Sequence, residues 1–178
     1  MKYLRRLIWY IANKLLLLIC VLGLLTVAFY FSMNAANIYI ILKDGMALRA
    51  QTVMMDLDKT ELTKYFARDY IARDPVLAST ENGTNPYERF DITGIDHRLS
   101  MEWMWGWPWE DSARATIVEQ IPAIDGRIQS GYREVTPREQ WNVPKWTGAR
   151  YNVVMIRESG QWHIRSMTLV EAIAPDAP

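Results

Sequence analysis

Along the chain the period of apolar positions changes twice. Residues 15–31 form an unbroken uncharged run. At 1.5 Å per residue a helix needs about 20 apolar residues to cross a hydrocarbon core of ~30 Å. Apolar character resumes after Ser32, Asn34 and Asn37 and continues over 38–42, so length is sufficient. The pattern predicts a transmembrane helix over 15–37, with Leu15, Leu18, Val21, Leu25 and Phe29 as anchor residues. Such a helix satisfies its own backbone hydrogen bonds in lipid.

The period then becomes 3.6. Ile38, Leu42, Met46, Ala50, Val53 and Leu57 make one helical stripe, while Lys43, Asp44, Arg49, Gln51 and Asp56 mostly occupy other faces. Two readings are open for the stripe: it packs on the chain's own sheet, or it zips with a second copy or a partner as a short coiled coil. The spanning helix either runs straight into this segment or breaks near 32–37. Gly45 inside it costs about 1 kcal/mol against Ala. Asp58 followed by Glu61 predicts a helix start. Leu62, Phe66 and Tyr70 continue that helix until Asp74-Pro75 ends it. Arg68, Asp69, Arg73 and Asp74 read as a solvated mixed-charge face. Residues 79–86 read as a loop, with Asn82-Gly83-Thr84 as a turn, or as a glycosylation sequon in a eukaryotic cell.

From Ile95 the period is two. Ile95, His97, Leu99, Met101, Trp103 and Trp105 alternate with Asp96, Arg98, Ser100, Glu102 and Met104, predicting one long half-buried strand. Further strands are predicted over 112–121, 149–157 and 161–170, the last two joined by Glu158-Ser159-Gly160-Gln161. Asp125-Gly126 reads as the tip of another small hairpin, and 137–144 as irregular. The expected fold class is α+β: an N-terminal transmembrane helix, then helices packed on a curved, mainly antiparallel sheet of about four strands.

Charge orients this layout. Lys2, Arg5, Arg6 and Lys14 precede the apolar run, and the next charges are Lys43 and Asp44. The positive-inside rule puts the N-terminus in the cytoplasm, making a single-pass protein of the cell membrane. Segments 1–14, 15–37, 38–173 and 174–178 are then a cytoplasmic basic segment, the span, an extracytoplasmic domain and a tail. Trp9, Tyr10, Phe29, Tyr30 and Phe31 flank the run, as interfacial aromatics do. A cleaved signal peptide is the competing reading. The run exceeds the usual ~7–15 residues, and Met33 or Asn34 stands where a small residue should precede a cut. Cys20 follows the large Ile19 and reads as a small hydrophobe in the span rather than a lipid attachment site.

The chain has 20 basic and 20 acidic residues. The first 31 residues hold four of the basic and none of the acidic, leaving 16 against 20 and a formal charge of −4 beyond them. That excludes a generally basic nucleic-acid footprint. With Cys20 as the only cysteine, the outer domain has neither a disulfide nor a thiolate zinc site. No Walker loop, dinucleotide fingerprint, nucleophile elbow or metal-spaced triad is present, so no cofactor or metal is expected.

Two groups of residues carry candidate chemistry. His97 and Glu119 both sit in the apolar series of their strands. If the strands pair, the two can face one cavity as a general acid–base pair, or satisfy each other structurally. Trp103, Trp105, Trp107 and Trp109 form a ladder that turns at Gly106-Trp107-Pro108. It reads as core filling between sheet and helices, as a ligand or partner surface, or as a loop dipping into the headgroups of the same membrane.

The closing segment, Arg150-Tyr-Asn-Val-Val-Met-Ile-Arg157, Glu158-Ser-Gly-Gln161 and Trp162-His-Ile-Arg-Ser-Met167, resembles the last strand pair of the nuclear-transport-factor-2-like (cystatin-like) superfamily. The likeness covers roughly 38–170 and includes ketosteroid-isomerase-type domains. It implies an α+β scaffold with helices on one face of a curved sheet, and in isomerase-type members a conical pocket. Isomerase-type members use an acid or base with a Tyr/Asp oxyanion pair, a set not carried over to any residue here. One span followed by an exported domain of this type also resembles, in layout, the inner-membrane assembly subunits of type IV secretion and conjugation machines. The expected function is a non-catalytic, membrane-anchored interaction or assembly module of the cell envelope, with the lipid bilayer and a protein partner or second copy as its contacts. The alternative is a small-ligand binder or an isomerase/dehydratase-like enzyme. A third reading is an envelope-glycan sensor using exposed indoles.

Overall fold

The structure, a computed structural model, describes residues 2–174, with the side chains of residues 2 and 4 left aside. The Lys2 side chain, which carries one of the expected charges, is thus set aside, and most of the expected tail, 175–178, lies outside the described residues.

One helix, α1 (Lys2–Met55), takes up the first 54 described residues. At 1.5 Å per residue it is about 80 Å long. It does not break at 32–37. Thr26 Oγ1 donates to Leu22 O and Ser32 Oγ to Ala28 O, each at 2.9 Å, so both hydroxyls are satisfied within the helix. Every described side chain from Tyr3 to Tyr30 is exposed, the expected anchor residues Leu15, Leu18, Val21, Leu25 and Phe29 among them. By length and composition, α1 can cross a membrane.

From Asn34 onward the same helix turns one side to the domain. Ile38, Leu42, Met46, Ala50 and Val53 are buried against the sheet, which decides between the two readings of the stripe. Leu57 lies past the helix end and is exposed. Asp56 takes a left-handed backbone (φ 53°) just after Met55, the seat that usually closes a helix with Gly or Asn. Gly45 has a packing reason. A Cβ there would sit 2.9 Å from Tyr65 Cβ, so the bare backbone lets the 65–66 segment lie on the helix.

The helix expected over 58–73 is in fact three pieces. Asp58 accepts from Thr60 N (2.9 Å) and starts a 3-10 turn, Lys59–Lys64. The chain then opens at Phe66, where Ile164 N donates to Tyr65 O and Ala67 N to Ile164 O. This capture by a strand overrides the apolar 3.6 pattern. A short α2 (Arg68–Ile71) follows, then α3 (Pro75–Ser79). Asp74 starts α3 rather than ending a helix: its carboxylate accepts from Val76 N, and Pro75 sits where a missing N–H costs nothing.

The strands are β1 (Phe90–Ile95), β2 (Arg98–Trp105), β3 (Ser112–Gln120), β4 (Ile124–Ile128), β5 (Gly148–Glu158) and β6 (Gln161–Ile173); β2, β3, β5 and β6 make the expected four-stranded sheet, and β1 and β4 are additional. The long strand expected from Ile95 is two, divided at Asp96-His97. Asp125-Gly126 lies inside β4, paired with β1, and does not tip a hairpin. The main sheet runs β2-β3-β5-β6, antiparallel throughout, with β1-β4 as a separate ribbon. The architecture is α+β, as expected. Ser159 (φ 52°) and Gly160 (φ 82°) form a two-residue turn between β5 and β6 with both residues left-handed, which suits the strand twist. Ile117, Val153, Met155 and Ile164 from the sheet meet Ile38, Leu42, Met46 and Phe66 in the core.

Candidate functional site

The domain interior holds a line of polar side chains between α1 and the sheet. At one end, Arg49 of α1 donates through Nε and Nη2 to both oxygens of Asp74, at 2.5 and 3.0 Å. Both side chains are almost wholly buried, which corrects the reading of Asp74 as part of a solvated face. Tyr70 and Tyr151 lie beside this pair. Burial pushes both phenols up, and Arg49 partly opposes the rise. The remaining charges of the expected mixed face, Arg68 and Asp69 in the short α2 and Arg73 just past its end, are exposed.

At the other end of the line, His97 Nε2 and Glu119 Oε1 are 3.1 Å apart. Their side chains are 5% and 0% exposed, so the two residues singled out by strand alternation do meet, away from water. The break between β1 and β2 places His97 there, and the β2–β3 pairing brings Glu119 alongside. Glu119 Oε2 and Arg49 Nη1 are buried without a hydrogen-bond partner among the described residues. The sequence marks neither Arg49 nor Asp74 as half of a pair; the one local signal is that Arg49 stands three residues after Met46 and four before Val53, beside the apolar stripe. Among the described residues no group of three His, Cys, Asp or Glu could hold a metal ion.

The tryptophan ladder lies elsewhere. Trp103, Trp105 and Trp109 are 52%, 49% and 65% exposed, and Trp107 is half-buried, so core filling is not their role. The reason is a bulge in β2. Met101 pairs with Ile117 but Trp103 with Thr116, so Glu102 is extra and the faces exchange. Met104 turns inward where alternation had placed Trp103 and Trp105. The hairpin then turns tightly. A Cβ on Gly106 would come 2.6 Å from Ala113 Cβ, a contact only glycine avoids.

This hairpin is fastened to α1. Phe31 contacts Trp105 and Trp107, each at 6.3 Å between ring centroids; Trp107 in turn stacks on Trp109 at 5.0 Å. Asn34 Nδ2 donates to Gly106 O (3.2 Å), while Asn34 Oδ1 accepts from Trp162 Nε1 (3.1 Å) and Arg157 Nη2 (3.0 Å). Arg157 also donates through Nη1 to Pro108 O and lies over the Trp162 ring at 4.5 Å. One buried amide thus joins the helix, the β2–β3 hairpin and the β5–β6 pair. At the opposite end of the sheet, Arg98, Gln120, Trp146 and Gly148 border a cleft of about 110 Å³.

No protein-family model matches the chain, and no curated protein is significantly similar to it.

Proposed function

We propose that the protein is a single-pass, membrane-anchored assembly module of the cell envelope, with its N-terminus cytoplasmic and its domain outside. The carrying observation is the unbroken α1. Its exposed apolar portion runs directly into the buried stripe of the domain, without a linker. A domain joined this way is held at a fixed height and orientation, which serves docking of other proteins rather than reach. The basic residues Arg5, Arg6 and Lys14 support the orientation. The nuclear-transport-factor-2-like assignment belongs to the same proposal and rests on the closing β5–β6 pair and the helix-covered sheet. Extraction in mild detergent, followed by size analysis, tests the role. A stoichiometric partner or a homo-oligomer is expected, and a strictly monomeric particle without partners contradicts it.

A second reading, a small-ligand binder or isomerase/dehydratase-like enzyme, is favoured by one observation. His97 and Glu119 form a buried acid–base pair, and among the described residues one Glu119 oxygen has no hydrogen-bond partner. The Trp103–Trp109 hairpin is not part of that site, since Trp105 stands at the far end of β2 from His97.

A further inference from the structure

We propose that the Trp103–Trp109 hairpin is a second membrane contact, seated in the headgroup layer of the bilayer that α1 crosses. This inference rests on the reading of α1 as a spanning helix.

Height along α1 sets the hairpin against the bilayer surface. Lys14 is the last charge before the apolar run. Crossing a core of ~30 Å from there takes about 20 residues and ends near Asn34. Burial by the domain begins at that point, with Phe31 half-buried and Asn34 buried. The hairpin is held at the same level by the Asn34–Gly106 hydrogen bond and by the Phe31 ring against Trp105 and Trp107. Headgroups occupy about 5–7 Å beyond the core on each side. Three indoles more than two-fifths exposed therefore sit where tryptophan is favoured, its ring in the boundary region and its N–H towards water. None of the described residues covers them; the membrane interface does.

Charge narrows the lipid. The tip carries Glu110 and Asp111, so attraction to anionic headgroups does not drive the contact. Zwitterionic lipid suffices, and added salt leaves the contact unchanged.

The test uses the full chain with Trp9→Phe, reconstituted in phosphatidylcholine vesicles containing nitroxide-labelled lipids. One lipid carries the nitroxide at the headgroup, the other near the chain end. The lone Cys20, exposed in the middle of the apolar run, takes a fluorescent label as an internal depth gauge. The Cys20 label should be quenched by the deep nitroxide. Tryptophan emission should be quenched by the shallow one, and that quenching should fall by more than half in Trp103→Ser/Trp105→Ser/Trp109→Ser, the rest coming from the half-buried Trp107 and the buried Trp162. If Cys20 is quenched but tryptophan is not, the hairpin faces water or another partner, and the inference is overturned while the span stands. If the Cys20 label escapes both nitroxides, the spanning reading falls and the hairpin contact with it. Absence of shallow quenching with the hairpin unmutated overturns the inference even if the triple variant misfolds.

Discussion

Arg49 and Asp74 lock α1 to the start of α3 through two hydrogen bonds inside the domain, with 3% and 0% of their side chains exposed. A buried pair of this kind owes its effect to completeness. Removing one partner strands the other charge, at a cost of about 3–5 kcal/mol. Replacing both with apolar groups of similar size is often neutral or better. Asp74→Ala should therefore lower unfolding free energy by about 3–5 kcal/mol. Arg49→Met/Asp74→Leu should recover most of that, short of the roughly 1 kcal/mol lost with the Asp74 cap on Val76. Denaturant unfolding of both variants checks it; equal losses would contradict it.

Gly45→Ala sets helix propensity against packing. Propensity alone promises a gain of about 1 kcal/mol. The space alone promises a loss, because the new methyl meets Tyr65 Cβ at 2.9 Å, an atom fixed to the backbone. A net loss of about 1–2 kcal/mol is expected from overpacking. A rise in thermal midpoint would show that the 65–66 segment yields freely.

Asn34→Leu keeps volume and helix but removes three hydrogen bonds that hold the two hairpins to α1. Trp162 Nε1 and Gly106 O lose their partner, at about 1–3 kcal/mol for each buried group left unsatisfied. Hydrogen exchange should quicken in 106–112 and 157–162 and stay unchanged in β4. Uniform acceleration would mean global unfolding rather than release of a local clasp.

Alkaline pH provides an independent handle. Burial pushes the Tyr87 phenol from 10.0 up to about 12, and it also raises Tyr70 and Tyr151. Above pH 10 the unfolded chain loses phenol protons that the folded chain keeps. Stability is full below about pH 10 and falls as pH rises through the folded values, at up to about 1.4 kcal/mol per unit for each such group. Tyr87→Phe should flatten this fall between pH 10 and 12, as read by circular dichroism. An unchanged slope would place Tyr87 in water.

The periodic elements were legible in the sequence because their signal is local. The stripe from Ile38 to Val53 records which side of α1 meets the sheet, and the buried series of β3 records which face it shows the core. His97 and Glu119 could be paired on paper because one hairpin separates them. What stayed hidden depends on distant partners. Asn34 bonds residues 72, 123 and 128 positions away, so nothing near it marks it as a clasp. Asp74 looked like a surface charge because its partner lies 25 residues back in α1. The bulge at Glu102 arises from pairing with β3, and alternation within β2 alone puts Trp103 and Trp105 on the wrong face. The split at Phe66 is likewise set by Ile164 rather than by the 3.6 pattern around it.

The account depends most on α1 crossing the bilayer with its basic end inside. In a Cys20→Ser background, single cysteines replacing Lys14 and the exposed Ser130 can be challenged with a membrane-impermeant maleimide on intact cells. The Ser130→Cys protein should react at once, and the Lys14→Cys protein only after lysis. Reaction at Lys14→Cys with Ser130→Cys protected until lysis would invert the topology and contradict the account.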